Sequence, residues 1–310
     1  MKLYKPKFWD NKIGFLSVIL FPLSLIFIFV THLNRKISKR KVFKLPIICV
    51  GNIYLGGTGK TPTSIFLARE LSKLGKKAVI LRKYYKNHAD EYKLIKNSFK
   101  NLIINKNRAD GINDAEKNGF DFVILDDGLQ DHRINKNIKI VCFNSNQLIG
   151  NGLVLPAGPL RERLSILKSA EIVIINGKKN NIFEKKILNI NKKLEIFYSF
   201  YKPTNLDQFK NKQLLAIAGI GNPYNFFKII EENNLYISKK LIFPDHYQFS
   251  QIEVENIIKD AELNNYEVIM TEKDYFKINN YKLKKINYLK VSLEIPEKKR
   301  LLDQINSFND

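Results

Sequence analysis

The longest apolar stretch of the chain lies near its N-terminus. No charged residue occurs between Ile13 and Asn34, and the central part, from Phe15 to Val30, is almost entirely apolar. A membrane-spanning helix needs about 20 apolar residues, so this segment is long enough to cross a bilayer once. Pro22 lies inside it, and membrane helices tolerate the kink that a proline causes. The pattern predicts a membrane-associated helix, which either spans the bilayer or lies in its surface.

A cluster of basic residues follows the apolar segment directly. It comprises Arg35, Lys36, Lys39, Arg40, Lys41 and Lys44. Basic residues beside a membrane segment favour a cytosolic location for that flank and attract anionic lipid headgroups. A cleaved signal peptide is the competing interpretation, but no small-residue cleavage site follows the apolar run. The pattern therefore predicts a cytosolic body that is held at an anionic membrane leaflet.

Beyond the basic cluster, short apolar runs alternate with segments of helical periodicity. Leu45 to Val50 is typical of a strand buried on both faces, and Thr63 to Leu74 places apolar residues at steps of three. This alternation predicts an α/β fold with mainly parallel sheets. The length favours two lobes. Residues 178–186 are rich in charge and contain a pair of asparagines, so this segment is a candidate linker between the lobes. We expect a membrane helix in residues 1–36, a first lobe in 37–187 and a second α/β lobe in 188–310.

A glycine-rich loop connects the first predicted strand to the first predicted helix of the body. Residues 51–62 read Gly-Asn-Ile-Tyr-Leu-Gly-Gly-Thr-Gly-Lys-Thr-Pro, which is a P-loop with Tyr54 where the strict pattern has glycine. Glycines let backbone amides approach phosphate oxygens, and the following helix N-terminus favours anions. Lys60 can neutralise the β- and γ-phosphates of ATP, and the Thr61 hydroxyl can ligate Mg²⁺. The predicted nucleotide-binding residues are Gly56, Gly57, Thr58, Gly59, Lys60 and Thr61.

A second apolar run, from Phe120 to Leu125, ends in a pair of carboxylates. An aspartate at the end of a strand downstream of a P-loop is typical of the Walker B arrangement. Its carboxylate holds Mg²⁺ directly or through water. Asp126 and Asp127 are therefore predicted metal ligands, although adjacent aspartates also occur as turn formers.

The composition shows a strong positive charge, and its two isolated cysteines are typical of a protein in a reducing environment. The chain has 52 Lys and Arg against 30 Asp and Glu, a formal net charge of +22. This excess indicates either polyanionic partners, such as nucleic acid, anionic lipid or phosphorylated substrates, or a general enrichment in lysine. No RNA-binding motif or DNA-recognition helix is evident, so we predict no nucleic-acid partner. Cys49 and Cys142 lie in apolar runs and match neither a disulfide framework nor a metal site.

Seven motifs in order resemble those of the tetraacyldisaccharide 4′-kinases of lipid A synthesis. They are Lys7-Phe8-Trp9, the loop at 51–62, Asp126-Asp127-Gly128-Leu129-Gln130, the Leu-Pro-Ala-Gly-Pro-Leu-Arg-Glu segment at 155–162, Ala218-Gly219-Ile220-Gly221, Phe243-Pro244-Asp245-His246 and Thr271-Glu272-Lys273-Asp274. The resemblance runs over nearly the whole chain. It implies a P-loop NTPase-like, two-lobed α/β/α architecture with an N-terminal membrane-associated helix and a site in the cleft between the lobes.

The resemblance also implies the reaction and its partners. ATP with Mg²⁺ would phosphorylate the 4′-hydroxyl of an acylated glucosamine disaccharide 1-phosphate, at the cytoplasmic face of the bacterial inner membrane. A membrane-associated P-loop GTPase is the alternative, but it would need a guanine-selecting Asn-Lys-x-Asp motif. Residues 271–274 lack the lysine at the second position of that motif, which disfavours a GTPase.

Further site residues follow from matching the motifs of this family. An Asp-His pair that activates the acceptor hydroxyl corresponds to Asp90 and His246, and we expect these to be catalytic together with Lys60. Gln130 and Arg161 are the predicted substrate-binding residues. A rigid loop that presents Arg161 or Arg163 can bind phosphate bidentately, and an ordinary surface turn is the alternative for this segment. The chain departs from the family pattern before Asp90, where the segment is shortened, and after Gln130, where Asp131 precedes His132. The role of residues 271–274 stays open between adenine recognition and packing of the lobe.

Overall fold

The structure is a computed structural model that describes residues 6–86, 88–245, 247–278, 281, 283 and 285–307. Its strands are β1 (Ile47–Gly51), β2 (Ala78–Lys83), β3 (Leu102–Asn105), β4 (Phe122–Asp126), β5 (Ile138–Asn144), β6 (Ile172–Asn176), β7 (Glu195–Pro203), β8 (Gln213–Ala218), β9 (Tyr236–Ile242), β10 (Glu267–Thr271), β11 (Ile286–Leu289) and β12 (Val291–Glu294). The α-helices are α1 (Phe15–Ile37), α2 (Lys60–Lys73), α3 (Ala89–Ser98), α4 (Arg108–Lys117), α5 (Asn181–Leu188), α6 (Pro223–Glu232), α7 (Gln251–Leu263), α8 (Glu272–Ile278) and α9 (Lys298–Asn306).

The chain divides into two compact units that are not continuous in sequence. The smaller unit comprises Tyr85–Lys100 and Tyr201–Leu293, and the larger unit comprises the rest of the described chain. The predicted boundary at 187/188 precedes β7, whereas the units exchange at 200/201. The difference arises because β7 pairs in parallel with β6 and so continues the sheet of the larger unit.

The larger unit is built on seven strands in the order β7-β6-β5-β1-β4-β2-β3. The seven strands from β7 to β3 pair in parallel. β1 and β4 are buried along their whole length, as continuous apolar runs predict. The chain leaves β1 toward β4 and β2 on one side and later adds β5 and β6 on the other. The carboxyl end of β1 is therefore the point where the strand order reverses, which is where open α/β sheets bind ligands.

The smaller unit has its own sheet and two hydrophobic cores. Its four strands are parallel in the order β11-β10-β8-β9. Along β8, Leu214 and Ala216 belong to one core with Phe226 and Phe227, and Leu215 and Ile217 belong to the other. Because side chains of a strand alternate between faces, the sheet separates two apolar layers. This arrangement confirms the predicted α/β/α architecture of the lobe.

The predicted linker at 178–186 is wrong, because most of it is helical. Asn180 caps α5 by accepting a hydrogen bond from the Phe183 amide. Phe183 and Ile187, one helical turn apart, are buried in the core of the larger unit, and Phe183 meets Phe143 edge-on at 5.0 Å. The lysines of this segment lie on the opposite, solvent-facing side, so its charge concealed an amphipathic helix.

Helix α1 buries polar side chains and exposes apolar ones, which is the reverse of the usual arrangement. It is long and apolar enough to cross a membrane, yet only Ser17 and Ser24 are buried in it. The Ser24 hydroxyl donates to the Val154 carbonyl at 2.8 Å and accepts from the Ala157 amide at 3.0 Å. The Asn151 amide group donates to Ser17 at 3.2 Å. The serines therefore dock α1 on the loop at 151–157, and most of its large apolar side chains stay exposed.

Candidate functional site

The loop after β1 is shaped by a buried asparagine. The Asn52 side-chain nitrogen donates to the Tyr54 carbonyl at 2.7 Å, the Gly56 carbonyl at 3.2 Å and the Thr58 hydroxyl at 2.9 Å. Gly59 precedes α2 with a φ of 91°, in the left-handed region that favours glycine. Helix α2 begins at Lys60, so the loop delivers Lys60 and Thr61 to a helix N-terminus, which favours phosphate.

Tyr54, which stands in place of a P-loop glycine, is fully buried beneath this loop. Its hydroxyl donates to Asp10 at 2.8 Å. Its backbone pairs with Leu160, and the Leu55 amide donates to the Pro159 carbonyl at 2.9 Å. The first half of the loop is therefore supported from the segment at 159–161, and a side chain at position 54 takes part in that support.

Lys60 and Asp127 form the charged centre of the site. The Lys60 Nζ lies 3.8 Å from Asp127 Oδ1, and Arg161 Nη2 lies 3.0 Å from the same oxygen. Burial lowers the pKa of Lys60, while the nearby Asp127 acts in the opposite direction. Burial alone would raise the pKa of Asp127, but Lys60 and Arg161 outweigh it and hold that pKa well below its usual range. Asp127 is therefore ionised at neutral pH.

Asp126 accepts hydrogen bonds from the start of α2. Thr61 Oγ1 donates to its Oδ2 at 3.0 Å, and Ser64 Oγ donates to its Oδ1 at 3.1 Å. Arg82, at the end of β2, forms an ion pair with the same carboxylate and donates to Thr61 Oγ1 at 3.1 Å. The Thr61 hydroxyl and the two aspartates present oxygen atoms, the donor type that Mg²⁺ prefers, so these residues fit the predicted metal.

Gln130 and Arg161 both contact the phosphate-binding loop. Gln130 Nε2 donates to the Asn52 carbonyl at 2.9 Å, and Arg161 donates to the Asn52 side chain as well as to Asp127. Their role in substrate binding stays a prediction. The structure shows that they also hold the loop that presents Lys60.

Asp131 and His132, where the chain departs from the family pattern, have different partners. Asp131 pairs with Arg108, the first residue of α4, at 3.4 Å and with Arg133 of its own loop at 3.0 Å, so its carboxylate is occupied by two arginines. His132 Nε2 lies 3.8 Å from Glu162 Oε1. Burial lowers the pKa of His132 to about 4 and raises that of Glu162 to about 7. His132, and not Asp131, therefore lies beside Glu162. Glu162 directly follows Arg161, a predicted substrate-binding residue.

The remaining predicted catalytic residues belong to the smaller unit. Asp90 lies in the first turn of α3 and is buried. His246 lies outside the described residues. The structure thus brings together Lys60, Thr61, Asp126, Asp127, Gln130 and Arg161 in the larger unit, and it places Asp90 in the smaller one.

Sequence reasoning did not assign Asn52, Ser64 and Arg82 to this site. Arg82 was visible only as a polar residue next to the end of β2, and its contact with Asp126 depends on the pairing of β2 with β4. Ser64 lies one helical turn after Lys60, on the face of α2 that meets β4. A polar residue at the end of each strand flanking the Walker B strand is the signal that would have identified Arg82.

A buried polar clasp in the smaller unit joins Thr271, Asp274 and Lys277 to the backbone of Gly219. Asp274 is fully buried and accepts from the Gly219 amide at 2.7 Å and from Thr271 Oγ1 at 2.7 Å. Lys277, whose side chain is 2% exposed, pairs with Asp274 at 2.6 Å and donates to the Gly219 carbonyl at 3.2 Å. These contacts show that the aspartate of this motif packs the lobe, the second of the two roles left open by the sequence.

We expect Asp274→Ala to lower the free energy of unfolding by about 3–5 kcal/mol, because it leaves the Lys277 ammonium buried without its carboxylate. Denaturant titration measures this change. Asp260→Ala is the matched control, since it removes a surface pair with Lys239 in the same unit, with both side chains more than 40% exposed. Such pairs contribute about 0–1 kcal/mol. Equal losses in the two variants would contradict the clasp.

A family model described as tetraacyldisaccharide-1-P 4′-kinase matches residues 16–309. A tetraacyldisaccharide 4′-kinase from Pelagibacter ubique is 42% identical over 315 aligned positions, covering 100% of this chain and 99% of the relative. One from Francisella tularensis subsp. novicida is 35% identical over 323 positions, covering 93% and 98%.

A solved structure has the same fold. It is an LpxK from Aquifex aeolicus in complex with ATP, and it superposes with a TM-score of 0.74 over 95% of this chain and 99% of its own. At 22% identity, this likeness concerns the fold. It confirms the predicted two-lobed P-loop architecture.

Proposed function

The chain belongs to the tetraacyldisaccharide-1-P 4′-kinase family, and from this premise we propose that it transfers the γ-phosphate of ATP to the 4′-hydroxyl of a tetraacylated glucosamine disaccharide 1-phosphate. The observation that carries the proposal is the family match over nearly the whole chain, joined to a P-loop whose Lys60 faces Asp127. The family membership and the names of the relatives support an ATP-dependent lipid kinase. The roles of individual residues are proposed from the geometry.

The larger unit would bind and polarise the nucleotide. The backbone of residues 56–59 and the N-terminus of α2 present amides to phosphate, and Lys60 places a positive charge beside them. Thr61, Asp126 and Asp127 would hold Mg²⁺, which neutralises phosphate charge when it is bound. Arg161 keeps Asp127 ionised and in place. These groups act by positioning and by neutralising charge, which are what phosphoryl transfer needs most.

Asp90 is the proposed general base, with His246 as its partner. A hydroxyl acceptor benefits from a carboxylate that takes its proton as the new bond to phosphorus forms. Asp90 is suited to hold such a position, because it is buried in the first turn of a helix whose N-terminus favours the ionised carboxylate.

The direct test is transfer of labelled γ-phosphate from ATP to the tetraacylated disaccharide 1-phosphate in detergent with Mg²⁺. We expect label in the lipid, none with an acceptor that lacks the 4′-hydroxyl, and none when EDTA removes the metal. A preference for GTP would favour the GTPase alternative. Hydrolysis of ATP without any labelled lipid would overturn the proposed acceptor.

We further propose that α1 anchors the protein at the cytoplasmic face of the inner membrane. The two serines bind the loop at 151–157, so the remaining apolar surface of α1 is available to lipid. The basic residues at 35–44 directly after α1 would contact anionic headgroups. A helix docked along a folded lobe in this way supports association with one leaflet.

We expect Val18→Gln, Ile26→Gln and Phe29→Gln together to weaken binding to anionic vesicles by at least about 100-fold, because burial of each large apolar side chain contributes about 1.5–3 kcal/mol. Vesicle flotation measures the bound fraction. The matched control replaces three exposed apolar residues outside α1, namely Ile182, Ile252 and Leu263, with Gln. Equal retention of both triple variants on vesicles would contradict the anchor.

A further inference from the structure

Lys273 joins two segments of the smaller unit that lie far apart in sequence. Its Nζ lies 3.3 Å from Glu91 Oε1, in the first turn of α3, and 3.2 Å from Asp245 Oδ1, in the segment after β9. The Lys273 side chain is 16% exposed, and that of Glu91 is 15% exposed. Because Lys273 and Glu91 are largely shielded from water, their attraction is less screened than that of a surface pair. The Asp245 side chain is 38% exposed.

The base of Lys273 is fixed by the buried clasp described above. The Asp274 amide donates to Thr271 Oγ1 at 3.1 Å, and the Asp274 carboxylate accepts from the Gly219 amide. The backbone that carries Lys273 is therefore tied to the carboxyl ends of β8 and β10. A long, flexible side chain that starts from a fixed backbone and ends on two carboxylates has little freedom left.

The α3 end of this link has further support. His88 Nδ1 lies 2.9 Å from Glu91 Oε2, so both carboxylate oxygens of Glu91 have a partner. Lys93 Nζ lies 3.5 Å from the Phe276 carbonyl, and α3 packs against α8. The start of α3 is thus held against the start of α8, with Lys273 as the cation between them.

We propose that Lys273 is a positioning residue for the activation of the acceptor hydroxyl. Glu91 directly follows Asp90, and Asp245 directly precedes His246, so the two carboxylates that share Lys273 are the sequence neighbours of the two proposed catalytic residues. By holding both carboxylates, Lys273 fixes the two short segments that carry this pair. The proposal rests on the proposed roles of Asp90 and His246, and it gives residues 271–274 a function besides packing.

Loss of the Lys273 charge would act on both segments at once. Without the ammonium, Glu91 and Asp245 would no longer be attracted to a common point, and their like charges would favour separation. A displacement of about 1 Å at a catalytic group can lower a rate about 100-fold. Binding of ATP depends on Lys60 and the P-loop of the larger unit, so the effect is expected in kcat.

The test compares Lys273→Met with Lys273→Arg and with the matched control Lys239→Met, which removes an exposed ion pair of the same unit. We expect Lys273→Met to lower kcat about 10- to 100-fold, with ATP affinity within about twofold. Lys273→Arg should restore most of the rate, because it returns the charge, and Lys239→Met should match the unaltered chain. A loss in Lys273→Met that comes with an equal loss of ATP affinity or of folded protein would overturn the positioning role.

A double variant separates this inference from the function on which it rests. If Lys273 acts through Asp90, Lys273→Met should lower the rate by less than threefold in an Asp90→Asn background, because the group it positions is already disabled. The full loss in that background would overturn the proposal while leaving the kinase function intact. Failure of the unaltered chain to label the lipid at all would instead contradict the proposed function.

Discussion

Replacing Lys60 with Ala is expected to lower kcat/KM for phosphate transfer by about three orders of magnitude. Lys60 is the largely shielded cation at the N-terminus of α2, with a side chain that is 16% exposed, and no water-exposed lysine can substitute for a charge held in that place. Its removal would also change the charge balance of the site, because Asp127 would lose one of the two cations that pair with it and keep Arg161. A phosphate group entering the loop would then approach a carboxylate that is less well neutralised.

The measurement is steady-state transfer of labelled phosphate, together with the affinity for ATP. Lys73→Ala is the matched control, because Lys73 ends the same helix and is 67% exposed. We expect the control to retain full activity and both variants to remain folded. If Lys60→Ala keeps more than a tenth of the activity, the loop does not provide the main charge for the transferred phosphate.

Asp90→Asn is expected to lower kcat by about 100- to 10,000-fold, which is the range for loss of a general base. The amide has nearly the same shape as the carboxylate, so helix α3 should keep its packing. ATP affinity is expected to be unchanged, because Asp90 belongs to the smaller unit and the P-loop belongs to the larger unit. Loss of kcat with retained ATP binding would mark Asp90 as acting on the acceptor.

Asp110→Asn is the matched control for this variant. Asp110 also lies in the first turn of a helix, α4, but it is exposed. Any loss that arises from a carboxylate near a helix N-terminus would therefore appear in both variants. Equal rates for Asp90→Asn and Asp110→Asn would place the base at another residue while leaving the kinase reaction in place.

The phosphate-binding part of the site was predictable because its parts are adjacent in sequence. A strand, a glycine-rich loop and a helix follow one another directly, so Lys60 and Thr61 could be placed from their order alone. Asp126 and Asp127 followed from a second apolar run with a polar end. The role of Arg82 was not predictable in this way, because its contact with Asp126 depends on which strands pair.

Two other features were hidden by properties that dominate the sequence. The lysines at 178–186 suggested a linker, although Phe183 and Ile187 are one turn apart and fill the core. In α1 the apolar run indicated the helix, but the sequence alone did not show that Ser17 and Ser24 would be its buried side. Hydrogen bonds to the loop at 151–157 decide that side, and the loop comes more than 100 residues later.

The division of the chain between the units has a consequence for its synthesis on the ribosome. Helix α3 is made between β2 and β3, yet its Lys93 reaches Phe276, 183 residues further along. At about 5–20 residues per second, α3 waits roughly 10–40 seconds for α8 to be translated. A helix of ten residues is marginal alone in water.

The larger unit waits as well, because α9, which buries Leu301, Leu302 and Ile305, is translated after β12. Neither unit can therefore complete its core before the chain has been translated beyond β11. Long parts of both units are thus translated well before the segments that complete their cores, and late folding of both units is expected.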